Sequence, residues 1–158
     1  MKIGIDYHGV INENPEFFKK FTAAALKEKH DIVVLSGASV HDVEAYLKAH
    51  QISFSAVYSL LDDFKKRGLV EFYEDGSFFV NNEIWNRAKA KYCLENGVDV
   101  HIDDSMLYGA YFQTPFCLYA KNPTRCTFAK KNLTVNFNQL PEKVLDDLQR
   151  SLKKINSK

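Results

Sequence analysis

Two apolar runs that each stop at an acid hold the residues of this chain best suited to chemistry. Lys2-Ile3-Gly4-Ile5-Asp6 leads into Tyr7-His8-Gly9-Val10-Ile11, and far downstream Val98-Asp99-Val100-His101-Ile102 leads into Asp103-Asp104-Ser105. A carboxylate at the end of a buried strand is costly unless a cation or a ring of donors compensates its charge. Two such ends fit two strand termini meeting around one metal ion. Ligands of open parallel sheets bind at the carboxyl edge of the strands. Asp6 with Asp103 and Asp104 suits magnesium, which takes hard oxygens and keeps several waters, so few carboxylates and a main-chain carbonyl suffice. An aspartate beside a bound cation can also attack phosphorus as a nucleophile. Ser36-Gly37 closes a third apolar run, Asp31-Ile32-Val33-Val34-Leu35.

The elements that must position these residues read as alternating strands and helices. The first strand is Lys2 to Asp6. Asn14-Pro15-Glu16 starts a helix whose apolar stripe includes Phe17, Phe18, Phe21, Ala25 and Leu26. Asp31 to Leu35 is a second buried strand, followed by a Ser39-capped helix to about His50. Phe54 to Tyr58 is a third strand and Leu60 to Lys66 a short helix. Residues 67–82 read as a β-hairpin insertion turning at Asp75-Gly76. Glu83 to Glu95 is a helix with Ile84, Ala88, Tyr92 and Trp85 as candidates for its inner face. Asp99 to Asp103 and Pro115 to Tyr119 complete the strands. Residues 120–140 read as an extended surface segment, and 141–154 as an amphipathic C-terminal helix. The expected architecture is one α/β domain over 1–158, with a mostly parallel sheet between layers of helices.

Composition narrows the function classes. Hydrophobic residues are 46% and aromatics 13% of 158 residues, enough for a sizeable core. Lys+Arg 21 against Asp+Glu 20 gives a formal net charge of +1, with no global pull toward nucleic acid or anionic lipid. The expectation is therefore no membrane, with nucleic acid disfavoured though not excluded through Lys121, Arg125, Lys130 and Lys131. Cys93, Cys117 and Cys126 lack CxxC spacing and read as reduced thiols. With no signal-peptide pattern, a cytoplasmic location is expected. His101, mid-strand, reads as a hydrogen-bonded core histidine. Phe72, Tyr73, Phe78, Phe79 and Trp85 read as ordinary hairpin packing, with an aromatic wall for a nucleobase or sugar ring as the alternative.

Here the residues resemble a known family. Ile3 to Ile11 looks like the first motif of the haloacid dehalogenase (HAD) superfamily, an apolar strand running into DxDG(T/V). Val33-Val34-Leu35-Ser36-Gly37 resembles the second motif and Val100 to Ser105 the fourth. Lys89, with Lys91 as the alternative, is best placed for the lysine of the third. The resemblance implies a Rossmann-like sheet of five strands in the order 5-4-1-2-3, with the hairpin as the only cap-like element. It implies a Mg2+-dependent phosphatase of a small phosphorylated metabolite or nucleotide, in which Asp6 is nucleophile and metal ligand and His8 lends its main-chain carbonyl to the metal. Asp104 would be the direct acidic ligand and Asp103 a partner one step removed, or the reverse. Ser36, Gly9 and Gly37 would meet the phosphoryl group, and Lys89 would balance the charge of nucleophile and phosphate. One departure matters: His8 stands where phosphatases of the superfamily carry a second aspartate as general acid and base. Loss of a positioned proton shuttle costs about 10²–10⁴ in rate, although imidazole can carry a proton itself. The alternative implied is a catalytically weak phosphate- or nucleotide-binding protein with a regulatory role.

Overall fold

In the computed structural model, which describes residues 1–157, β1 (Lys2–Asp6) lies inside a seven-stranded sheet. It pairs in parallel with β2 (Asp31–Ser36) on one side and β6 (Val100–Asp103) on the other. The remaining strands are β3 (Ala56–Ser59), β7 (Phe116–Lys121), β8 (Thr124–Phe128) and β9 (Leu133–Asn136). Their order is β3-β2-β1-β6-β7-β8-β9, parallel from β3 to β7 and antiparallel beyond. A separate two-stranded hairpin joins β4 (Glu71–Phe72) to β5 (Phe78–Phe79). The fold class is α/β.

The sheet corrects the five-stranded expectation, in strand count and therefore in order. Residues 120–140 are not an extended surface segment: β8 and β9 run through them. Their signal is a two-residue period, Cys126 with Phe128 and Val135 with Phe137, all four buried. Exposed polar neighbours and the Lys130-Lys131 pair dilute that period in the sequence.

Alternation along the strands decides which face each residue meets. Ile3, Ile5, Ile32, Val34, Val100 and Ile102 point to one face. There they pack with α1 (Pro15–Lys27), α2 (Val40–Ala49) and α6 (Pro141–Asn156). Val33, Leu35 and Phe116 point to the other, under α4 (Asn82–Glu95). Gly4 pairs with His101 and Ile5 with Ile102, so Asp6 and Asp103 follow at one level on adjacent strands, both on the α4 face. On that side α3 (Leu60–Lys66) packs Leu60 and Phe64 against Ala88 of α4, with Trp85, Val70 and Val80 around them. The inner face of α4 carries Ala88, Tyr92 and Trp85 as expected, but not Ile84. Ile84 is exposed, whereas Trp85, Lys89 and Cys93, spaced four apart, face the sheet. A lysine in the buried stripe blurs that face in the hydropathy periodicity.

Each helix start has a local cause. Asn14, Ser39, Ser59 and Asn81 accept from the N–H three residues on, as helix caps do. Among the described residues, no helix is long and apolar enough to cross a membrane. The three cysteines are buried and unpaired with one another.

Candidate active site

β1 and β6 end side by side, and the chain reverses direction of winding between them, which opens a crevice at their carboxyl edge. Asp6, Asp103 and Asp104 converge there, each offering a carboxylate oxygen within 4.8 Å of the others. Asp6 and Asp103 are buried and Asp104 is exposed. Lys89 reaches down from α4 and donates to Asp6 Oδ1 at 2.8 Å and Asp103 Oδ2 at 2.7 Å, itself only 3% exposed. Its ammonium lies 4.6 Å from the centre of the Tyr108 ring, on α5 (Met106–Gly109). Lys91 points away, exposed, toward Glu95 at 3.9 Å.

Asp103 is fully engaged by protein. Its Oδ1 accepts from the Ser105 N–H at 2.9 Å, and its Oδ2 accepts from Lys89 and, at 3.0 Å, from His101 Nε2. Burial raises the cost of its charge, but the His101 hydrogen bond and the Lys89 ammonium outweigh that and hold its carboxyl below the usual range. Asp104 makes no hydrogen bond among the described residues, and Asp6 makes one, at Oδ1. Oxygens of Asp6 and Asp104, rather than of Asp103, are thus left to an incoming ligand.

The charge count gives the ligand's sign. Three carboxylates surround one ammonium, and burial holds the His101 pKa below its ordinary value, so that ring is neutral. With Asp6 ionised the cluster carries a net charge of −2, which matches a divalent cation with hard oxygen ligands. Asp6 carries the cost: its pKa is pushed up to about 7, foremost by burial, with Lys89 opposing and the Asp103 and Asp104 charges adding to it. Lys89 is held above its ordinary value, because the two carboxylates outweigh the burial that would pull it down.

A pH dependence follows. A carboxylate whose folded pKa is raised contributes stability below its unfolded value, near 3.8, that is lost as pH rises through about 7. The lowered Asp103 acts in the opposite sense, but below that window. The metal-free protein therefore loses stability between pH 4 and 7 on account of Asp6. Magnesium should raise the melting temperature by several degrees more at pH 7.5 than at pH 5, as read by paired thermal melts; equal increments would refute the assignment.

The other sequence-derived site residues fall unevenly. A cavity of about 290 Å³ opens above the carboxylates, bounded by Asp6, His8 and Asp104 on one side and Gly37, Trp85 and Lys89 on the other. His8 is exposed at its rim, its ring 4.4 Å from that of Tyr7. Ser36 is fully buried, and its Oγ accepts from the Ala38 N–H at 3.0 Å; Gly37 is the residue of that motif that lines the cavity. Gly9 does not offer its N–H to the cavity, since that group donates to Asn12 Oδ1 at 2.7 Å. Its glycine is needed for another reason: φ is +84°, and a Cβ there would collide with the Asp104 carboxylate.

Two features of the site escaped the sequence reading. Tyr108 lines the cavity beneath no recognisable motif. His101 is the hydrogen-bonded core histidine expected, fully buried; what the sequence did not show is that its partner is Asp103. An ionised carboxylate only accepts, so the proton sits on Nε2. Nδ1 is then left without a hydrogen-bond partner, beside the Gly4 main chain, where a Cβ would come within 2.8 Å of it. The ring stacks on Phe112, centroids 5.0 Å apart and 3° from parallel. An orphaned buried imidazole nitrogen costs about 1–3 kcal/mol, a cost accepted in orienting Asp103. The signal was available as a polar residue two positions before a strand-terminal acid, and so on the same face.

A larger hollow, about 670 Å³, lies at the amino edge of the sheet between Met1, Asp99 and Lys153. It lacks a convergent set of catalytic groups, so the smaller cavity is the candidate site. No family model, curated protein or solved structure matches the chain.

Proposed function

We propose that this chain is a Mg2+-dependent phosphohydrolase, similar to HAD superfamily members, that cleaves small phosphomonoesters through an aspartyl-phosphate on Asp6. The observation that carries the reading is the meeting of Asp6, Asp103 and Asp104 from two strand ends, with one buried lysine bridging Asp6 and Asp103. The residues fit the metal: a net charge of −2 once Asp6 is ionised, free oxygens on Asp6 and Asp104, and a cavity lined by both. Asp6, Asp104 and, as the resemblance implies, the His8 carbonyl would hold it, with Asp103 tied to Lys89 and His101 behind them. When bound, Mg2+ supplies neutralisation of phosphoryl charge.

A carboxylate oxygen of Asp6 attacks phosphorus, and the new P–O bond forms as the P–O bond to the leaving alcohol breaks. The alcohol oxygen takes a proton from water or from His8. Water then attacks the same phosphorus, gives up a proton, and displaces the Asp6 carboxylate with release of inorganic phosphate. Lys89 holds the nucleophile in place and offsets the incoming dianion. The reading is tested by assaying a panel of phosphomonoesters with and without Mg2+. Magnesium-dependent turnover is the expected result, and none from any member of the panel overturns it.

His8, exposed and free of hydrogen bonds among the described residues, favours a second reading, a slow or inactive phosphate binder. Thermal stabilisation by phosphate and Mg2+ without turnover distinguishes it. Under the enzymatic reading, His8→Asp raises kcat by about 10–100-fold, part of the range a positioned acid supplies. A fall in kcat contradicts the missing-acid account.

A further inference from the structure

A cavity of about 290 Å³ is at the small end for a ligand site, so a substrate larger than its phosphoryl group and a few further atoms must rest on what surrounds its mouth. On the hairpin side, that surround is aromatic. Trp85 lines the cavity, and its edge rests on Phe64, centroids 5.1 Å apart. Phe78 follows at 6.2 Å from Trp85 and Phe72 at 6.1 Å from Phe78, tilted by 46° and 54°. Phe72 is 53% and Phe78 40% exposed, so the hairpin does not bury the rings it carries. Exposed aromatic side chains continuous with a polar pocket are unusual on a monomer surface and mark a binding face.

Charge selects the occupant. Between Gly68 and Val80 the hairpin carries Glu71, Glu74 and Asp75 and no Lys or Arg. Lys65 lies 5.0 Å from the Phe72 ring centre and Arg67 4.7 Å from that of Phe64, so the cations sit at the α3 end of the strip and the three acids on the hairpin. A polyanion such as a nucleic-acid strand laid along the hairpin would meet those acids. A second copy docked on this face about a two-fold axis would bring both sets of three acids into one interface. A flat ring without negative charge meets neither obstacle and gains ring stacking.

Resting on the phosphohydrolase reading, we infer that the substrate is a monophosphate ester of a flat aromatic body without further negative charge. Its phosphoryl group enters the cavity while its ring lies on the strip from Trp85 through Phe78 to Phe72. An aryl alcohol and a nucleoside both have that chemistry.

Binding tests this apart from turnover. Trp85 is the only tryptophan, so its fluorescence reports the strip directly. The full chain with Mg2+ is titrated with 1-naphthylmethylphosphonate, a nucleoside 5′-phosphonate, methylphosphonate and a short oligonucleotide carrying a 5′-phosphate. The expected result is Kd at least 10-fold lower for an aryl or nucleoside phosphonate than for methylphosphonate, with Trp85 emission changed by the ring-bearing ligands; whichever of the two binds tighter identifies the source of the ring. The Phe72→Ala/Phe78→Ala double variant, checked for an unaltered melting temperature, loses that discrimination. Equal Kd values for ring-bearing and methyl phosphonates, tighter binding of the oligonucleotide, or a dimer dispersed by the double variant would each overturn the inference. Ring-selective binding without hydrolysis would sustain it while removing the catalytic reading.

Discussion

Asp6→Asn should leave the metal-free protein more stable at pH 8 than the parent, and without phosphomonoesterase activity. The two halves of this result come from one cause. The carboxyl of Asp6 sits where its charge is unwelcome, with a pKa pushed up to about 7 by burial and by neighbouring acids. At about 1.4 kcal/mol per pKa unit, ionising it at pH 8 costs at most about 4 kcal/mol. Asparagine removes the charge and keeps the shape. The gain left after Lys89 loses one ionic partner is about 1–2 kcal/mol, or roughly 2–8 °C in melting temperature for a chain of this size. Activity falls by about 10⁴-fold or more, since loss of a nucleophile removes the reaction path itself. Stabilisation by Mg2+ shrinks with it. Were Asp6 a structural counter-ion for Lys89 alone, the substitution would instead destabilise the fold, and differential scanning calorimetry would show it as a drop. A functional acid held at a cost to stability gives the opposite sign.

Lys89→Met should be the most damaging single change to the fold outside the apolar core. Lys89 supplies the one ammonium among three carboxylates, and two of these are buried. Without it no ammonium offsets these acids, and Asp6 is pushed further toward its protonated form. Removing one partner of a buried ion pair costs about 3–5 kcal/mol, because the remaining charge cannot reach water. That corresponds to a melting temperature about 10 °C lower. Magnesium should recover part of the loss by replacing the missing positive charge. Lys91→Met, two residues along the same helix, removes only an exposed contact at 3.9 Å and should shift the transition by less than about 0.5 kcal/mol. Thermal melts of the two variants side by side, with and without Mg2+, check both. Comparable losses would mean that the bridge seen at Lys89 carries little energy.

How far the sequence alone reached is clearest at particular residues. Asp6 and the Asp103-Asp104 pair were legible because a strand that is apolar up to its last residue and then acidic is a costly pattern with few uses. The alternation of strand and helix was legible from hydropathy period, and so was the α/β class. The hairpin was legible from Asp75-Gly76 between two aromatic runs. β8 and β9 were not, because an antiparallel edge shows only every second residue to the core. Half-buried Thr127, exposed Thr134 and the lysine pair at the turn leave an average that looks like a loop.

What tertiary structure alone decided is which of several equivalent residues does what. Lys89 and Lys91 are alike in the sequence, and so are Asp103 and Asp104. The rotation of α4 about its axis buries Lys89 and exposes Lys91, and the end of β6 turns Asp103 inward to His101 and Lys89 while Asp104 faces the cavity. Ser36 reached the expected strand end, yet its hydroxyl turned to the Ala38 N–H. Local patterns record the burial of one face of an element, whereas the choice between neighbours depends on the angle at which that element packs, and this angle comes from contacts between residues distant in the chain.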